Sequence, residues 1–311
     1  MPSRPITALI VLFWIGTMGW FGYREVWPSL FPSDAPPFVI ELADEVTSEF
    51  AGQVRGADVL WGIYRGDTRI GRAETRLRFI RAKNPDEIDV YEMETRLVEV
   101  KLDITVIRNI LEVKFFIQEL KNVYRVTRSG ELRAIHTDAK MKISDLEGTA
   151  RFSGEVRDGM LHRTGTVDLG PFGGNVDVKL DPIEAPTRSI LNPMHPVPKI
   201  TGLRPGRRWQ MPVLNPLGDV VQPAINAILA KHGYKEVKLN LFTESKFVNA
   251  EVLTETKMIQ YEEKEYPCRI IEYRGDRTEV QPARTYVRIS DGAVLRQEAS
   301  TLSERLTLQR E

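Results

Sequence analysis

Apolar and polar side chains alternate over most of this chain, and the alternation predicts a protein built mainly from β-strands. In the run from Arg69 to Ile80, small and apolar residues share one face and charged residues the other: Gly71, Ala73, Thr75, Leu77 and Phe79 against Arg72, Glu74, Arg76 and Arg78. This period of two is typical of a half-buried antiparallel strand. The pattern begins at Val59 and predicts further strands over 88–104, 115–127, 132–143, 148–156, 161–169 and 176–180.

Short dipeptides that contain glycine separate several of these runs. Gly66-Asp67, Ser129-Gly130 and Asp158-Gly159 supply residues that tolerate the positive φ angles of tight hairpin turns. Strands joined by such turns pair with their neighbours along the chain. We therefore predict a meander, a sheet in which each strand lies beside the next one.

A proline-rich stretch interrupts the alternation between residues 183 and 206. Six prolines lie between Pro182 and Gly206, and a central strand there would lack the ladder hydrogen bonds that a backbone N–H donates. We interpret the stretch as a crossover. It joins two possible lobes, 41–182 and 207–311, which we expect to form a single domain rather than two.

Apolar residues return at helical spacing after the crossover. The run from Leu217 to Leu229 predicts an amphipathic helix that stops at His232-Gly233, with Pro223 near its first turn or bending it. Alternation then resumes around the hairpin signal Asp291-Gly292 and predicts strands over 236–249, 251–261, 267–274, 279–289, 293–300 and 302–310. A long sheet with few helices to cover it must curl, and a curled sheet encloses a groove for a ligand.

An earlier amphipathic pattern precedes the first strand. Apolar residues recur every four positions from Leu42 to Val54, between acidic side chains, and predict a short helix that ends at Gly56. Residues 25–40 contain four prolines, which predict an extended tether. The tether would separate a β domain over 41–311 from the residues before it.

The first 24 residues contain an apolar run with no charged residue between Pro5 and Tyr23. A helix of this length, at about 1.5 Å per residue, spans the hydrocarbon layer of a bilayer, and its aromatic rings cluster towards one interface. We predict an uncleaved, single-pass transmembrane helix whose anchoring side chains are Ile6, Leu9, Ile10, Leu12, Phe13, Trp14, Trp20 and Phe21. A cleaved signal peptide and a buried core helix are the alternatives.

The charges that flank this run favour an amino terminus inside the cell. Arg4 and the free amino group lie on one side, whereas Arg24 is followed at once by Glu25 on the other. The β domain would then lie outside the cytoplasm, on the periplasmic side in a Gram-negative type of envelope.

Charge and cysteine content narrow the classes of function. Acidic and basic residues balance at 43 each, so no overall field attracts nucleic acid. Cys268 is the single cysteine, which excludes an internal disulfide and a thiolate metal cage. We expect no cofactor, and as partners the membrane and either a lipid or another envelope protein.

The opening of the predicted sheet, from Trp61 to Gly71, resembles the start of a β domain of unknown function in bacterial envelope proteins. The segment from Tyr286 to Leu308 is similar to the closing hairpin of that domain. The resemblance implies a curved antiparallel sheet around a few helices, like the lipoprotein-carrier and lipoprotein-binding clam folds. A similar opening precedes the catalytic domain of some bacterial transglutaminase-like proteins, but Cys268 lies in a strand-like run without the helix N-terminus and base that such a nucleophile needs.

Titratable candidates for chemistry are few. The histidines have no paired spacing typical of a metal site: His136, His162, His195 and His232. His136 and Asp138 share a strand face, either as a base with its orienting carboxylate or as an exposed polar pair. Cys268 is either a small buried strand residue or a reactive thiol.

Several short motifs have an ordinary structural interpretation. Arg65-Gly66-Asp67 and Arg274-Gly275-Asp276 spell an adhesion tripeptide, yet each lies where Gly-Asp forms a turn. Pro171-Phe172-Gly173-Gly174 lacks the Lys-Ser/Thr of a phosphate loop and predicts a turn. Three arginines form a stripe that Glu74 interrupts, which is typical of a solvated sheet face: Arg72, Arg76 and Arg78.

With these motifs set aside, we expect a non-enzymatic, membrane-anchored binding or assembly module that holds an apolar ligand or a partner protein in the groove. Candidates for the groove or the core are Trp61, Gly71, Phe79, Trp209 and Phe242. Two alternatives stay open. One is an envelope hydrolase whose site is assembled only in the fold, and the other is a structural accessory subunit of a neighbouring enzyme.

Overall fold

The structure is a computed structural model. It describes residues 4–22, 58–82, 88–107, 111–127, 130–143, 146–168, 170, 174–186, 196–212, 214–231, 247–275, 281–301 and 304–311. The predicted tether 25–40 and the predicted helix from Leu42 to Val54 lie outside these residues.

Two helices and fifteen strands lie in the described residues. The helices are α1 (Arg4–Phe21) and α2 (Pro216–Lys231). The first eight strands are β1 (Val59–Arg65), β2 (Thr68–Ile80), β3 (Val90–Ile107), β4 (Leu111–Val126), β5 (Leu132–Ile143), β6 (Leu146–Arg157), β7 (Met160–Asp168) and β8 (Asn175–Lys179). The others are β9 (Ile183–Glu184), β10 (Arg208–Pro212), β11 (Phe247–Tyr261), β12 (Lys264–Gly275), β13 (Ala283–Arg288), β14 (Val294–Thr301) and β15 (Glu304–Arg310).

All the pairings in this sheet are antiparallel, and most join strands that are consecutive in the chain. The order is β10-β11-β12-β13-β14-β15-β1-β2-β3-β4-β5-β6-β7-β8, with β9 beside β7. The predicted mainly β fold and the meander are confirmed. Two meanders meet where β15 pairs with β1, with Trp61 opposite Arg310 and Ile63 opposite Leu308.

The predicted turn dipeptides lie at hairpins, as expected. Between β6 and β7, Asp158 and Gly159 have φ angles of 51° and 75°, and Gly66 has 56° between β1 and β2. Positive φ at both central residues matches the right-handed twist of the flanking strands. The alternation and these dipeptides together therefore predicted most strand boundaries within a few residues.

One predicted strand break was wrong, and two short strands, β9 and β10, were not predicted. The predicted break between strands 236–249 and 251–261 does not exist, since β11 runs unbroken from Phe247 to Tyr261. An irregularity between Val252 and Thr256 shifts the register of β11 against β12. This shift accounts for the interruption in the alternation of apolar and polar residues. β10 was not predicted at all. It is a short strand that begins the sheet and ends at Pro212, a place that tolerates a residue without an N–H.

The main core lies on one face of the sheet, which we call the inner face. Trp61, Leu161 and Met211 are fully buried there. Helix α2 packs against this face through Val220 and Val221. Because Gly165 on β7 has no side chain, the helix approaches so closely that an added Cβ would lie 2.9 Å from Cγ1 of Val220.

A polar contact fixes the same helix to the sheet. Nη1 of Arg163 on β7 lies 2.7 Å from a carboxylate oxygen of Asp219, in the first turn of α2. Arg163 also donates to the backbone carbonyl of Asp181, at 2.7 Å. Burial raises the pKa of Asp219, and the neighbouring Arg163 offsets only part of that rise. The ion pair between Arg163 and Asp219 orients the helix, although removing both charges from water costs free energy.

The end of the predicted crossover lies against the inner face. We call residues 196–203 the crossover segment. The hydroxyl of Thr75 on β2 donates to the carbonyl of Pro196 at 3.0 Å, in a buried position. At the other side, the Ile200 N–H donates to the Gly292 carbonyl at 2.8 Å. These bonds attach the segment to both meanders.

A second, smaller apolar cluster lies on the opposite face. It contains Ile259, Cys268, Ile270, Tyr286, Ala293 and Leu295. Ile270 belongs to this cluster, whereas its neighbour Ile271 belongs to the main core, so β12 is buried on both faces. Apolar side chains therefore cover part of the outer face at β12 and β13.

Helix α1 presents its apolar side chains to solvent. The following are each more than half exposed: Val11, Leu12, Phe13, Trp14, Ile15, Met18, Trp20 and Phe21. No helix among the described residues combines the length and hydropathy needed to cross a membrane. The spanning helix stays a prediction.

Candidate functional site

A cavity of about 370 Å³ lies between the crossover segment and the turn that joins β13 to β14. Residues 199–203 form one wall, and 287–292 with Arg269 form the other. Arg269 pairs with Val287, a main-core residue, so the cavity opens at the end of the inner face. We call it the crossover cavity.

Glycine at position 292 holds the two walls together. Its φ of +75° lies in the left-handed region, and an added Cβ would lie only 2.7 Å from the Ile200 carbonyl oxygen. Two backbone hydrogen bonds use this close approach, from Ile200 N–H to Gly292 and from Val294 N–H to Pro198. The crossover cavity is thus bounded by backbone that ladder hydrogen bonds hold in place.

Cations outnumber anions around the crossover cavity. Lys199, Arg269 and Arg288 line it together with a single carboxylate, that of Asp291. Arg288 binds Asp291 through two hydrogen bonds of 2.8 Å and 2.6 Å and lies 4.8 Å from the ring centre of Tyr266. The hydrogen bonds from Arg288 hold the pKa of Asp291 below its usual range. Arg288 is thus paired within the cavity wall, and Arg269 adds a further positive charge to it.

Two polar groups of the cavity wall have no partner among the described residues. The hydroxyl oxygen of Thr201 is buried and makes no hydrogen bond. The half-buried Arg269 forms no ion pair or hydrogen bond within the described chain. The Thr201 oxygen is enclosed by protein, whereas the half-buried Arg269 guanidinium can accept a partner from the cavity.

Elsewhere, the structure places a serine beside the predicted His136 and Asp138 pair. Nδ1 of His136 lies 2.9 Å from the Ser153 hydroxyl, and Nε2 lies 2.8 Å from the Asp138 carboxylate. The three side chains lie close together because the register of β5 and β6 places His136 opposite Ser153. They lie on the exposed face of the sheet. Their strands are interior ones whose backbone pairs on both sides, which leaves no N–H to stabilise an oxyanion.

A network of arginines surrounds two buried glutamates on β12 and β14. Arg274 and Arg284 each bind the Glu272 carboxylate through two hydrogen bonds. Burial raises the pKa of Glu272, but the hydrogen bonds from both arginines outweigh it and hold the pKa below its usual range. The second carboxylate, Glu298, accepts from Tyr286, Arg296 and Arg305. Every carboxylate and guanidinium here is engaged, so we interpret the network as structural.

Four of the predicted groove or core residues lie in the described chain. Trp61 and Trp209 are buried in the main core, and the N–H of each indole has no partner among the residues that the structure describes. Phe79 packs against the core and lies 5.1 Å from the Tyr91 ring. At Gly71 an added Cβ would lie 2.8 Å from Val100, so glycine permits a close contact between β2 and β3. None of the four lines the crossover cavity, and Phe242 lies outside the described residues.

Cysteine and histidine candidates do not form a second site in the described chain. Cys268 is a free, buried thiol whose pKa burial raises to about 11, which matches the structural interpretation. His162 lies on β7, opposite Glu155 on β6, while His195 and His232 lie outside the described residues. No group of three or more His, Cys, Asp and Glu residues there has a metal-binding arrangement.

The remaining motifs lie at turns or at the edge of the described chain. Arg65-Gly66-Asp67 spans the β1–β2 turn, as predicted. Arg274 of the second tripeptide binds Glu272, while Asp276 lies outside the described residues, as do positions 171–173 of the glycine motif. In the arginine stripe, Arg76 binds Asp58 and Glu74.

Sequence reasoning missed the residues of the crossover cavity. Thr201 and Arg269 carried no motif, and Arg288 with Asp291 was noticed only as part of a hairpin. The available signals were the prolines of the crossover and the Asp291-Gly292 turn. Nothing in the sequence indicated that these two segments meet.

Comparisons with known proteins do not indicate what this chain binds or does. No family model matches the chain, and no curated protein does. Among solved structures, it is similar to a beta-barrel-like protein of domain of unknown function DUF1849 from Brucella abortus. The identity is 9% and the TM-score 0.34, over 82% of this chain and 95% of that one. Likeness at this level carries no information on ligand or activity, and the resemblance to lipoprotein carriers stays an expectation.

Proposed function

We propose that this protein is a non-enzymatic binding module, held at a bacterial envelope membrane by its first 24 residues, with the crossover cavity as its ligand site. The observation that carries the proposal is the cavity itself, which the crossover segment and the β13–β14 turn enclose with Arg269 in its wall. Its volume of about 370 Å³ is within the range of small-molecule sites, about 300–1,000 Å³. An apolar groove lined by the predicted aromatic residues finds no support, because Trp61 and Trp209 are packed in the core.

Native mass spectrometry of the full chain, extracted gently from membranes, tests the binding function. We expect an added mass in the parent protein. Ser290→Trp, which fills the crossover cavity, should remove it, whereas Ser153→Trp on the exposed sheet face should retain it. A parent protein without added mass under conditions that preserve other complexes would contradict the proposal, as would equal loss from both variants.

Attachment to the membrane is supported by the exposed apolar surface of α1. Leu12, Phe13 and Trp14 are each at least 60% exposed, and exposed apolar patches of this kind mark contacts with lipid or protein. Flotation of the full chain with lipid vesicles separates these two partners, because no other protein is present. The double substitution Leu12→Lys and Ile15→Lys should abolish flotation. Leu60→Lys, at an exposed leucine of β1, is the matched control and should float as the parent does.

A second candidate function is hydrolysis at Ser153, favoured by the hydrogen-bonded chain from Ser153 through His136 to Asp138. It ranks second because the three groups are open to solvent and no free backbone donor faces them. Hydrolysis of p-nitrophenyl acetate by the full chain distinguishes the two functions. A rate that exceeds that of buffer and is lost in Ser153→Ala would favour the hydrolase, and a rate equal to that of the variant would remove it.

A further inference from the structure

We infer that two copies of this protein pair through a free backbone edge of β11, so that the sheet continues from one chain into the other. This pairing goes beyond the proposed function, because it involves neither the crossover cavity nor α1. On one side, β11 pairs with β12 along most of its length, whereas on the other side it pairs with β10 only at its beginning. We call the free side of residues 256–261 the β11 edge.

The β11 edge has backbone groups available for a further strand. β10 pairs with β11 only over 247–251, and the loop before β10 adds two hydrogen bonds at Val252. An irregularity follows, and from Thr256 to Tyr261 β11 pairs regularly with β12. On the side away from β12, no strand among the described residues pairs with 256–261. Unpaired N–H and C=O groups of this kind are a template for another strand.

Apolar side chains lie on both faces of the sheet at the β11 edge. Ile259 belongs to the smaller apolar cluster, and the half-buried Tyr261 packs against it. Met258 points to the other face, because side chains alternate along a strand, and is 51% exposed. Tyrosine and methionine are enriched in the cores of protein interfaces. A strand added at this edge would extend the apolar cluster and cover Met258.

A second copy fits this edge in one register. Two identical edges related by a two-fold axis pair antiparallel, and opposite residues must share a face of the sheet. A pairing centred on Lys257 places two ammonium groups opposite each other, and one centred on Met258 places them diagonally. The pairing centred on Ile259 separates them. It brings the Ile259 side chains of the two copies together and places each Lys257 opposite Tyr261 of the other copy.

Charge complementarity favours the same register. Lys257 lies 5.3 Å from the centre of the Tyr286 ring and forms no ion pair among the described residues. The turn between β11 and β12 carries two exposed carboxylates, Glu262 and Glu263, at the end of the same edge. In the pairing centred on Ile259, the turn of each copy lies beside Lys257 of the other. Opposite charges therefore meet twice across the interface, which favours this partner over an unrelated strand.

Sedimentation of the full chain in detergent micelles, over a range of protein concentrations, tests the pairing. The β11 edge is short, so we expect a weak dimer with a dissociation constant on the order of 10 µM. Lys257→Glu places like charges beside the turn of the second copy and should raise this constant about tenfold or more. Lys179→Glu, at an exposed lysine of β8 at the other end of the sheet, is the matched control and should dimerise as the parent does.

A charge swap distinguishes a contact between chains from a change within one chain. Lys257 lies near the start of the β11 edge and Glu263 in the turn beyond its end, roughly 15 Å apart at about 3.3 Å per residue. The two therefore do not meet in the same chain. Lys257→Glu combined with Glu263→Lys should restore the dimer, and urea denaturation should show that each variant remains folded.

Disulfide formation tests the register. In the pairing centred on Ile259, Met258 of one copy lies opposite Gln260 of the other. Oxidation of a mixture of Met258→Cys chains and Gln260→Cys chains should therefore link the two, while the buried thiol of Cys268 stays unlinked. Met160→Cys, at an exposed methionine of β7, is the matched control and should not form a disulfide with Gln260→Cys.

A parent chain that stays monomeric up to about 100 µM would overturn the inference. So would a dimer that Lys257→Glu leaves intact, since the copies would then meet elsewhere. Recovery of a different protein in place of a second copy, lost in Lys257→Glu, would assign the β11 edge to that partner and also overturn the inference. These results leave the ligand and the membrane untouched, because native mass spectrometry and flotation measure those functions separately.

Discussion

The carboxylate of Glu272 on β12 accepts two hydrogen bonds from the guanidinium of Arg284 on β13, at 2.9 Å and 2.8 Å. Only 5% of the Glu272 side chain is exposed, so its charge depends on this partner and on Arg274. The Arg284 guanidinium is fork-shaped and meets the carboxylate with two parallel bonds, a geometry that stabilises a buried pair.

Removing Arg284 should destabilise the fold strongly. Arg284→Met leaves a buried carboxylate with Arg274 alone, and we expect a loss of about 3 kcal/mol in the free energy of unfolding. Arg96→Met is the matched control, since Arg96 forms an exposed pair with Glu119 and should cost less than about 1 kcal/mol. Urea denaturation measures both. Equal losses would contradict a structural role for the buried pair.

The same carboxylate should make the fold sensitive to acid. Because the pKa of Glu272 is lowered in the folded chain, the unfolded chain binds the proton first. The stabilisation is complete above the ordinary glutamate pKa of about 4.3 and is lost as the pH falls through the folded value. The urea midpoints of the parent and Glu272→Gln should therefore converge between pH 6 and pH 3. A constant difference would refute the assignment.

Cys268 should be unreactive in the native protein. Burial raises the pKa of this thiol to about 11, so at pH 8 almost none of it is the reactive thiolate. Ellman's reagent should label the native chain slowly and the urea-unfolded chain rapidly. The raised pKa also implies stability that is complete below about pH 8.5 and is lost as the pH rises through about 11. Rapid labelling of the native chain would contradict the burial of Cys268.

Contact between Gly165 and Val220 should set the position of α2. Gly165→Ala places a methyl group against Val220, and overpacking of this kind costs about 1–3 kcal/mol. A double-mutant cycle with Val220→Ala measures the coupling, because the smaller side chain makes room for the added methyl group. We expect the double variant to be more stable than the sum of the single losses predicts. If the two losses in stability are strictly additive, Gly165 and Val220 do not interact.

The bond from Thr75 to Pro196 should support the crossover segment. Thr75→Val keeps the shape of the side chain but leaves a buried carbonyl without its donor, at a cost of about 1–3 kcal/mol. Thr164→Val, at an exposed threonine of β7, should change stability by less than about 0.5 kcal/mol. Since the crossover segment forms one wall of the cavity, Thr75→Val should also reduce the added mass that native mass spectrometry detects. Unchanged stability and an unchanged added mass would mean that other contacts hold the segment.

Local pattern predicted the strands well because the period of two is a property of neighbouring residues. The run from Leu132 to Ile143 was predicted with the bounds it has in the structure, and the turn at Asp158-Gly159 follows from its backbone requirements. The same local pattern does not predict which strands pair with each other. Nothing in 304–310 indicates that it pairs with β1, since alternation sets the face of a strand and not its neighbour.

Charged residues on β12 show where the same pattern fails. Glu272 shares its face of the strand with Ile270, which belongs to the second apolar cluster, and its side chain is only 5% exposed, whereas Arg274 is 73% exposed. Alternation along β12 does not indicate that this carboxylate is buried and bound by two arginines. Likewise, Arg269 became a candidate only once a proline-rich segment far away in the chain was seen to lie against it.

Pairing of β15 with β1 also bears on how the chain reaches its folded state. While the protein is being synthesised, β1 has β2 as a neighbour early, but its other edge stays open until almost the whole domain has emerged. An open edge is a template for pairing with other chains. A polypeptide of this topology gains from a chaperone that covers the open edge of β1 until β15 is available to pair with it.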